Sequence, residues 1–232
     1  MNILGLQKTT LLDYPGKVVA TIFLGGCNMR CSYCHNMNLV EMSAKDPIPY
    51  DEVMNFLSKR RNLLDGVCIT GGEPTLYNEL VQFIRDIKSL SYLVKLDTNG
   101  TNPDMLKHLV ENNLIDYIAM DIKSSIDTYA SVCGTNVNTN NVLESIDFLK
   151  KNNVPYEFRT TLVSEYHTLD VIESIGQMLS GANCYYLQSF VDSEYVPNHQ
   201  HTALTSDILL QYKDLLSKYI TNVEIRGVDI EE

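Results

Sequence analysis

Apolar residues along this chain fall into two alternating patterns. Short runs rich in Val, Ile and Leu are followed by longer stretches in which apolar residues recur every three or four positions. The first pattern fits strands buried on both faces, the second helices with one face on a core. Residues 18–24 (Val18-Val19-Ala20-Thr21-Ile22-Phe23-Leu24) open the series. Further strands are predicted over 66–70, 92–96, 116–120, 156–162 and 184–188, with a short last one over 222–226. Helices are predicted over 50–62, 76–88, from Pro103 onward, 138–151, 168–180 and 205–219, with a short helical piece around 125–132. Pro103 suits a first helical position, where a missing N–H does no harm, and Gly181 suits a helix end. Residues 190–204 contain Pro and His and show no period. Six β-α units running one way imply an α/β fold with a parallel sheet and helices outside it. An open doubly wound sheet and a partial barrel both fit.

In either architecture the ligand end is the carboxyl end of the strands. Polar residues collect at those ends. After the first strand, a Gly25-Gly26 pair leads into Cys27-Asn28-Met29-Arg30-Cys31-Ser32-Tyr33-Cys34, three cysteines spaced C-x3-C-x2-C. Three thiolates on one short loop can grip one inorganic object. Iron–sulfur clusters are usually held by four, and here the next cysteine is the distant Cys68, so a [4Fe–4S] cluster with one open iron is the natural reading. Structural zinc is the main competitor, but it favours four ligands and paired C-x2-C knuckles, and adjacent Cys34 and His35 are ill suited to one tetrahedral ion. A disulfide framework does not suit a chain of this size without a secretory signal.

Gly71-Gly72-Glu73-Pro74 follows the second strand. Two glycines let a backbone approach a ligand closely, Glu73 can accept hydrogen bonds from an ammonium, and Pro74 stiffens the exit. Alone, this would read as an ordinary turn. Asp97-Thr98-Asn99-Gly100 ends the third strand and has turn composition. Asp121-Ile122-Lys123 ends the fourth. Arg159 lies inside Tyr156-Glu157-Phe158-Arg159-Thr160-Thr161-Leu162, and a charge in the middle of an apolar strand needs a partner if it is buried. His199 and His201 form an H-x-H that reads as a solvated loop. Cys68 and Cys184 read as inert strand thiols, and Cys133 as a loop residue without a partner.

The totals narrow the class. Of 232 residues, 44% are hydrophobic, enough for a sizeable core. No apolar run approaches the ~20 residues of a membrane span, and the start lacks a signal-peptide pattern, so a reducing cytoplasmic setting is expected. The net charge of −11 argues against a nucleic-acid surface.

The cysteine loop resembles the CxxxCxΦC signature of radical S-adenosylmethionine (SAM) enzymes, with Tyr33 at Φ. The resemblance implies a partial (β/α)6 barrel. It also implies a cluster held by Cys27, Cys31 and Cys34, whose open iron is chelated by the amino and carboxylate groups of SAM. Gly71, Gly72, Glu73 and Pro74 match the family motif that holds the SAM amino group. The DTNG and D-x-K motifs, and the Cys34-His35-Asn36 sequence, are similar to those of the activases of glycyl-radical enzymes. From this, Asp97, Thr98, Asn99 and Asp121 are expected to line the SAM pocket, around a monovalent cation beside the SAM carboxylate. Lys123 is expected to pair with a carboxylate, Arg159 to contact SAM, and His35 and Asn36 to tune the cluster through hydrogen bonds.

The resemblance covers nearly the whole chain, as one domain with an extension over 1–17, a core over about 18–188 and a closing segment over 189–232. Gly5-Leu6-Gln7-Lys8-Thr9-Thr10, Asp13-Tyr14-Pro15-Gly16 and Val223-Glu224-Ile225-Arg226-Gly227 look like the branch labelled anaerobic ribonucleoside-triphosphate reductase activating protein. The chemistry implied is reductive cleavage of SAM to methionine and a 5′-deoxyadenosyl radical, which takes a hydrogen atom from a backbone Gly of a partner enzyme. The electron would come from a flavodoxin or ferredoxin-type donor. Two alternatives stay open at this point: a radical SAM enzyme acting on a small molecule, as the deazapurine carboxylate synthases do, and a zinc or iron–sulfur protein of structural or electron-transfer role.

Overall fold

Ala20, Ile22 and Leu24 are fully buried, because the strand they belong to has neighbours on both sides. The computed structural model describes residues 1–43 and 46–228. In chain order its elements are β1 (Ile3–Thr10), β2 (Val19–Leu24), α1 (Met37–Val40), α2 (Tyr50–Lys59), β3 (Gly66–Gly71), α3 (Leu80–Ser89), β4 (Leu93–Thr98) and α4 (Pro103–Glu111). These are followed by β5 (Tyr117–Asp121), α5 (Tyr129–Cys133), α6 (Thr139–Lys151), β6 (Tyr156–Leu162), α7 (Leu169–Met178), β7 (Cys184–Ser189), α8 (Ser206–Leu216) and β8 (Asn222–Arg226). All eight strands form one sheet in sequence order. β1 runs antiparallel to β2, and every later pair is parallel. Strand twist wraps this sheet into a partial barrel with helices outside.

The helices form where one face can be buried. In α3 the buried residues are Leu80, Phe83, Ile84 and Ile87, spaced three, four and seven apart. Each such side chain contributes about 1.5–3 kcal/mol when buried. α4 begins with Pro103, and the Asn102 side chain accepts the Met105 N–H at 3.2 Å, satisfying one of the free donors of the first turn.

The inward face of the barrel is polar. In β6, Phe158 and Leu162 face the helices, while Glu157, Arg159 and Thr161 alternate to the interior. Low in the barrel, Glu157 accepts from both terminal guanidinium nitrogens of Arg226 (3.1 and 3.2 Å) and from the Tyr117 hydroxyl (2.9 Å). Arg226 also stacks 3.2 Å over the Tyr186 ring. Tyr14, Val19 and Cys68 close that end.

Several expected boundaries move. Residues 1–17, read as an extension, contain β1. The three residues before its end, Gln7, Lys8 and Thr9, are exposed, so it carries little of the apolar pattern that marks a strand. The helix expected over 76–88 is a short 3-10 turn at Pro74–Leu76 followed by α3. β4 runs on to Thr98 and so carries Asp97 within the strand. The last four residues of the closing segment 189–232 lie outside the described residues. No helix among the described residues is long and apolar enough to cross a membrane.

Candidate active site

The thiols of Cys27, Cys31 and Cys34 are free and line one cavity of about 270 Å³ at the carboxyl ends of the strands. The loop that carries them is tied to itself. The Cys34 amide donates to the Cys31 carbonyl at 3.1 Å, and the Arg30 guanidinium donates to the carbonyls of Cys27 and Met29 at 2.7 Å each. Two backbone amides are aimed at sulfur: Met29 N–H at Cys27 Sγ and Asn36 N–H at Cys34 Sγ, both at 3.4 Å. The Asn99 side-chain amide lies 3.9 Å from Cys27 Sγ. Thiolates that bind metal need such donors to spread their charge. Among the described residues no three His, Cys, Asp or Glu side chains converge on the position of a single ion.

Cys133 is not the partnerless loop residue expected. It is buried at the end of α5, its carbonyl accepts the Arg30 N–H at 2.7 Å, and its thiol lies against Cys31. Its hydrogen bond lowers the Cys31 thiol to about 7, while burial pushes Cys27 up to about 11. Only the fold brings residue 133 to residue 31.

The Gly71–Glu73 turn is zipped against the start of the cysteine loop. Gly72 N–H donates to Leu24 O and Glu73 N–H to Gly26 O, both at 2.8 Å. A Cβ on Gly72 would lie 1.8 Å from the Gly26 carbonyl oxygen, so only glycine permits this approach. Gly72→Ala is therefore expected to destabilise the protein by about 2–3 kcal/mol and to weaken SAM binding at least about tenfold. Calorimetry of unfolding and of SAM titration checks both.

Glu73 is buried and joins two strand ends. Its carboxylate accepts from Thr75 N (3.0 Å), Thr98 Oγ1 (2.8 Å) and Asn99 N (2.7 Å). Burial pushes its pKa up, against the pull of these donors. Pro74 opens the turn behind it and does not line the cavity.

A chain of alternating charge crosses the upper barrel. Lys95 Nζ lies 2.5 Å from Asp97 Oδ1, and Arg159 Nη2 donates to Asp97 Oδ2 at 3.1 Å. Arg159 Nε donates to Asp121 Oδ1, and Lys123 Nζ donates to Asp121 Oδ2 at 2.9 Å. Burial opposes charge at every one of these groups. Burial is the largest single effect at both carboxylates, but Arg159 together with Lys95 at Asp97, and with Lys123 at Asp121, outweighs it and holds both below the usual range. The carboxylates in turn keep Arg159 and Lys123 protonated. Each carboxylate expected beside a monovalent cation is thus engaged by two side-chain cations. Three cations against two carboxylates leave one positive charge over, at a cavity wall formed by Asp97, Asp121, Lys123 and Arg159.

Residues 21–175 match the radical SAM superfamily. The chain belongs to that superfamily. This radical SAM chain is 34% identical over 233 residues to a provisionally named glycyl-radical enzyme activating enzyme of Methanocaldococcus jannaschii, covering 97% of this chain and 95% of the relative. It is 29% identical over 176 residues to the pyruvate formate-lyase 1-activating enzyme of Escherichia coli K12, covering 70% of each. These matches place it in the activating-enzyme branch. Streptococcus suis SuiB, solved with S-adenosylmethionine bound, shares the fold with a TM-score of 0.67 at 12% identity, over 90% of this chain and 52% of SuiB.

The radical SAM family uses a [4Fe–4S] cluster and SAM, and the residues present fit both. The fit to the cluster is the set of free thiols with amides aimed at them. The fit to SAM, whose amino-acid end carries an ammonium and a carboxylate, is a buried Glu beside a region of surplus positive charge. The Tyr33 hydroxyl is buried among these groups with no hydrogen-bond partner among the described residues.

The cavity gathers every expected site residue except Pro74. His35 reaches the wall, but its Nε2 bonds the Val191 carbonyl at 2.6 Å instead of a thiol; the Asn36 contact to sulfur runs through its backbone. Of the His199-x-His201 pair, His199 is exposed and bonds Asp192 at 2.9 Å. His201 is buried, which corrects the solvated-loop expectation. Sequence reasoning passed over Lys95 and Gln188. Lys95 did carry a signal, the same one as Arg159: a charge between Val94 and Leu96 in an apolar strand. Gln188, at a strand end, carried none.

Proposed function

We propose that this radical SAM enzyme activates a glycyl-radical enzyme by removing a hydrogen atom from a backbone glycine of the partner, with anaerobic ribonucleoside-triphosphate reductase as the first candidate. The observation that carries the reading is the shared cavity: three loop thiols, the Gly71–Glu73 turn and the Asp97–Arg159–Asp121–Lys123 chain face one space at the carboxyl ends of the strands. When bound there, the cluster and SAM together supply reductive cleavage of the SAM C5′–S bond and hydrogen-atom abstraction.

The chain's own residues bind, orient and exclude. Cys27, Cys31 and Cys34 would hold the cluster through their thiolates, with no fourth cysteine lining the cavity among the described residues. The amides of Met29 and Asn36 spread charge from two of the sulfurs. Glu73 and the Gly71–Gly72 backbone receive the SAM ammonium, with Glu73 fixed for this by Thr75, Thr98 and Asn99. Arg159 and Lys123 supply positive charge for the SAM carboxylate. Tyr33 offers an unpaired hydroxyl within the same wall. The partner's glycine loop enters along the unclosed side of the barrel, between the edges β1 and β8, and the electron comes from a flavodoxin or ferredoxin-type donor in the cytoplasm.

Electron paramagnetic resonance tests the reading. Reconstituted protein, SAM, a low-potential reductant and the reductase are frozen after anaerobic incubation. A glycyl doublet on the reductase, absent when its radical-site Gly is replaced by Ala, is the expected result. SAM turnover without a doublet, together with formation of a 7-deazapurine carboxylate from its pterin precursor, would move the assignment to a small-molecule substrate.

A further inference from the structure

The cysteine loop has a second, outward-facing side. Ser32 sits between two cavity-lining residues, Cys31 and Tyr33, yet does not line the cavity itself. Its Oγ lies 2.7 Å from His201 Nε2 and 3.1 Å from the Tyr166 hydroxyl. On the other side of the His201 ring, Nδ1 lies 3.2 Å from Glu165 Oε2. The Glu165 carboxylate is fixed in turn by Thr202, whose hydroxyl and amide donate to Oε1 at 2.7 and 3.1 Å. The Ser32 carbonyl is also held, accepting the Asn198 N–H at 3.1 Å. A carboxylate accepts only, so His201 carries its proton on Nδ1, and Nε2 accepts from the Ser32 hydroxyl, which accepts from Tyr166. The His201 side chain is 3% exposed. Its ring stands edge-on to Tyr33 at 6.1 Å, and Tyr166 and His167 enclose the same tyrosine.

We propose that Glu165, His201 and Ser32 form a positioning relay for the cluster. It locks the middle of the cysteine loop from behind and latches residues 190–204 over it as an outer wall. A serine, histidine and carboxylate in line also resemble a hydrolytic triad. That use is disfavoured, because the Ser32 hydroxyl faces packed aromatic rings and no cavity. As a positioning device the relay has a clear physical task. Cys31 and Cys34 flank Ser32 at one and two residues, so a rotation of the Ser32 peptide re-aims both thiols. Holding that residue by its side chain and its carbonyl together removes the rotation. His35 adds a second latch on the same wall through the Val191 carbonyl. The inference rests on the cluster that the family uses, and not on which partner is activated.

The test uses the reconstituted protein and the variants His201→Phe, which keeps the ring packing, Ser32→Ala, Ser32→Thr and the His201→Phe/Ser32→Ala double. The first readout is the rate of iron loss to a ferrous chelator under argon. Each single deletion is expected to speed loss about five- to tenfold, and the double no further than the larger single, because both break one chain. Ser32→Thr, which keeps the hydroxyl, is expected to stay within about twofold of wild type. The reduced cluster's resonance lines should broaden in the deletions and not in Ser32→Thr. The second readout needs no cluster: in apo-protein the Asn198 amide should exchange its hydrogen about five- to tenfold faster in His201→Phe. Additive effects in the double variant, or wild-type iron loss and exchange in both single deletions, would overturn the proposal. Neither outcome bears on the glycyl doublet, which stands or falls separately.

Discussion

Cys31→Ala is expected to yield a folded protein that retains no [4Fe–4S] cluster and forms no 5′-deoxyadenosine from SAM. With only Cys27 and Cys34 left, the loop offers two thiolates where the cluster needs three, and the neighbouring Cys133 is fully buried on α5 and does not line the cavity. Iron should fall from about four per chain to near zero, and SAM cleavage by at least about a thousandfold. Cys184→Ala is the matched control. Cys184 begins β7, at the end of the barrel away from the cavity, and its loss should change neither reading. Iron content by colorimetry and 5′-deoxyadenosine by chromatography decide it. A Cys31→Ala protein that still binds four irons and cleaves SAM would show that the thiol set has been misassigned.

The second large effect concerns Arg159. Replacing it with Met removes the cation shared by Asp97 and Asp121 and leaves each carboxylate one lysine. Breaking a buried ion pair from one side costs about 3–5 kcal/mol. Here the side chains are 11–27% exposed and each aspartate keeps a partner, so about 2–3 kcal/mol is expected at pH 7. The sign with pH follows from the direction of the shifts. Both carboxyls are held below their unfolded values, so the stabilisation is fully present above about pH 4, where unfolded Asp is ionised, and fades as pH falls through the folded values. Urea midpoints for wild type and Arg159→Met should therefore differ equally at pH 7 and pH 5 and draw together below about pH 4. A gap that does not change down to pH 3 would mean that Arg159 contributes packing and not charge.

Much of this site was legible because radical SAM chemistry forces rare residues into short spacings. Cys27, Cys31, Cys34 and Gly71-Gly72-Glu73 each sit on one turn, so the chain order alone puts them at neighbouring strand ends. Arg159 was legible for another reason, its charge inside an apolar strand. Lys95 carries the same mark, a charge between Val94 and Leu96. What stayed hidden depends on contacts across the chain. His201 looks like part of a polar loop until Ser32, 169 residues earlier, and Glu165 are brought to it. Cys133 has no local motif and gains its place from α5 docking on Arg30. In the fold, β1 was hidden because an edge strand is apolar only where it is covered, over Ile3 and Leu4.

The latch over the cysteine loop also orders events during synthesis. The loop leaves the ribosome early, and its wall leaves late. With 169 residues between Ser32 and His201, and elongation at about 5–20 residues per second, roughly 8–34 s separate the two. During that interval the cysteine loop exists without the segment that packs against Ser32 and His35. Cluster delivery by a carrier protein therefore has a window before the wall closes, and oxygen or thiol oxidants have the same one.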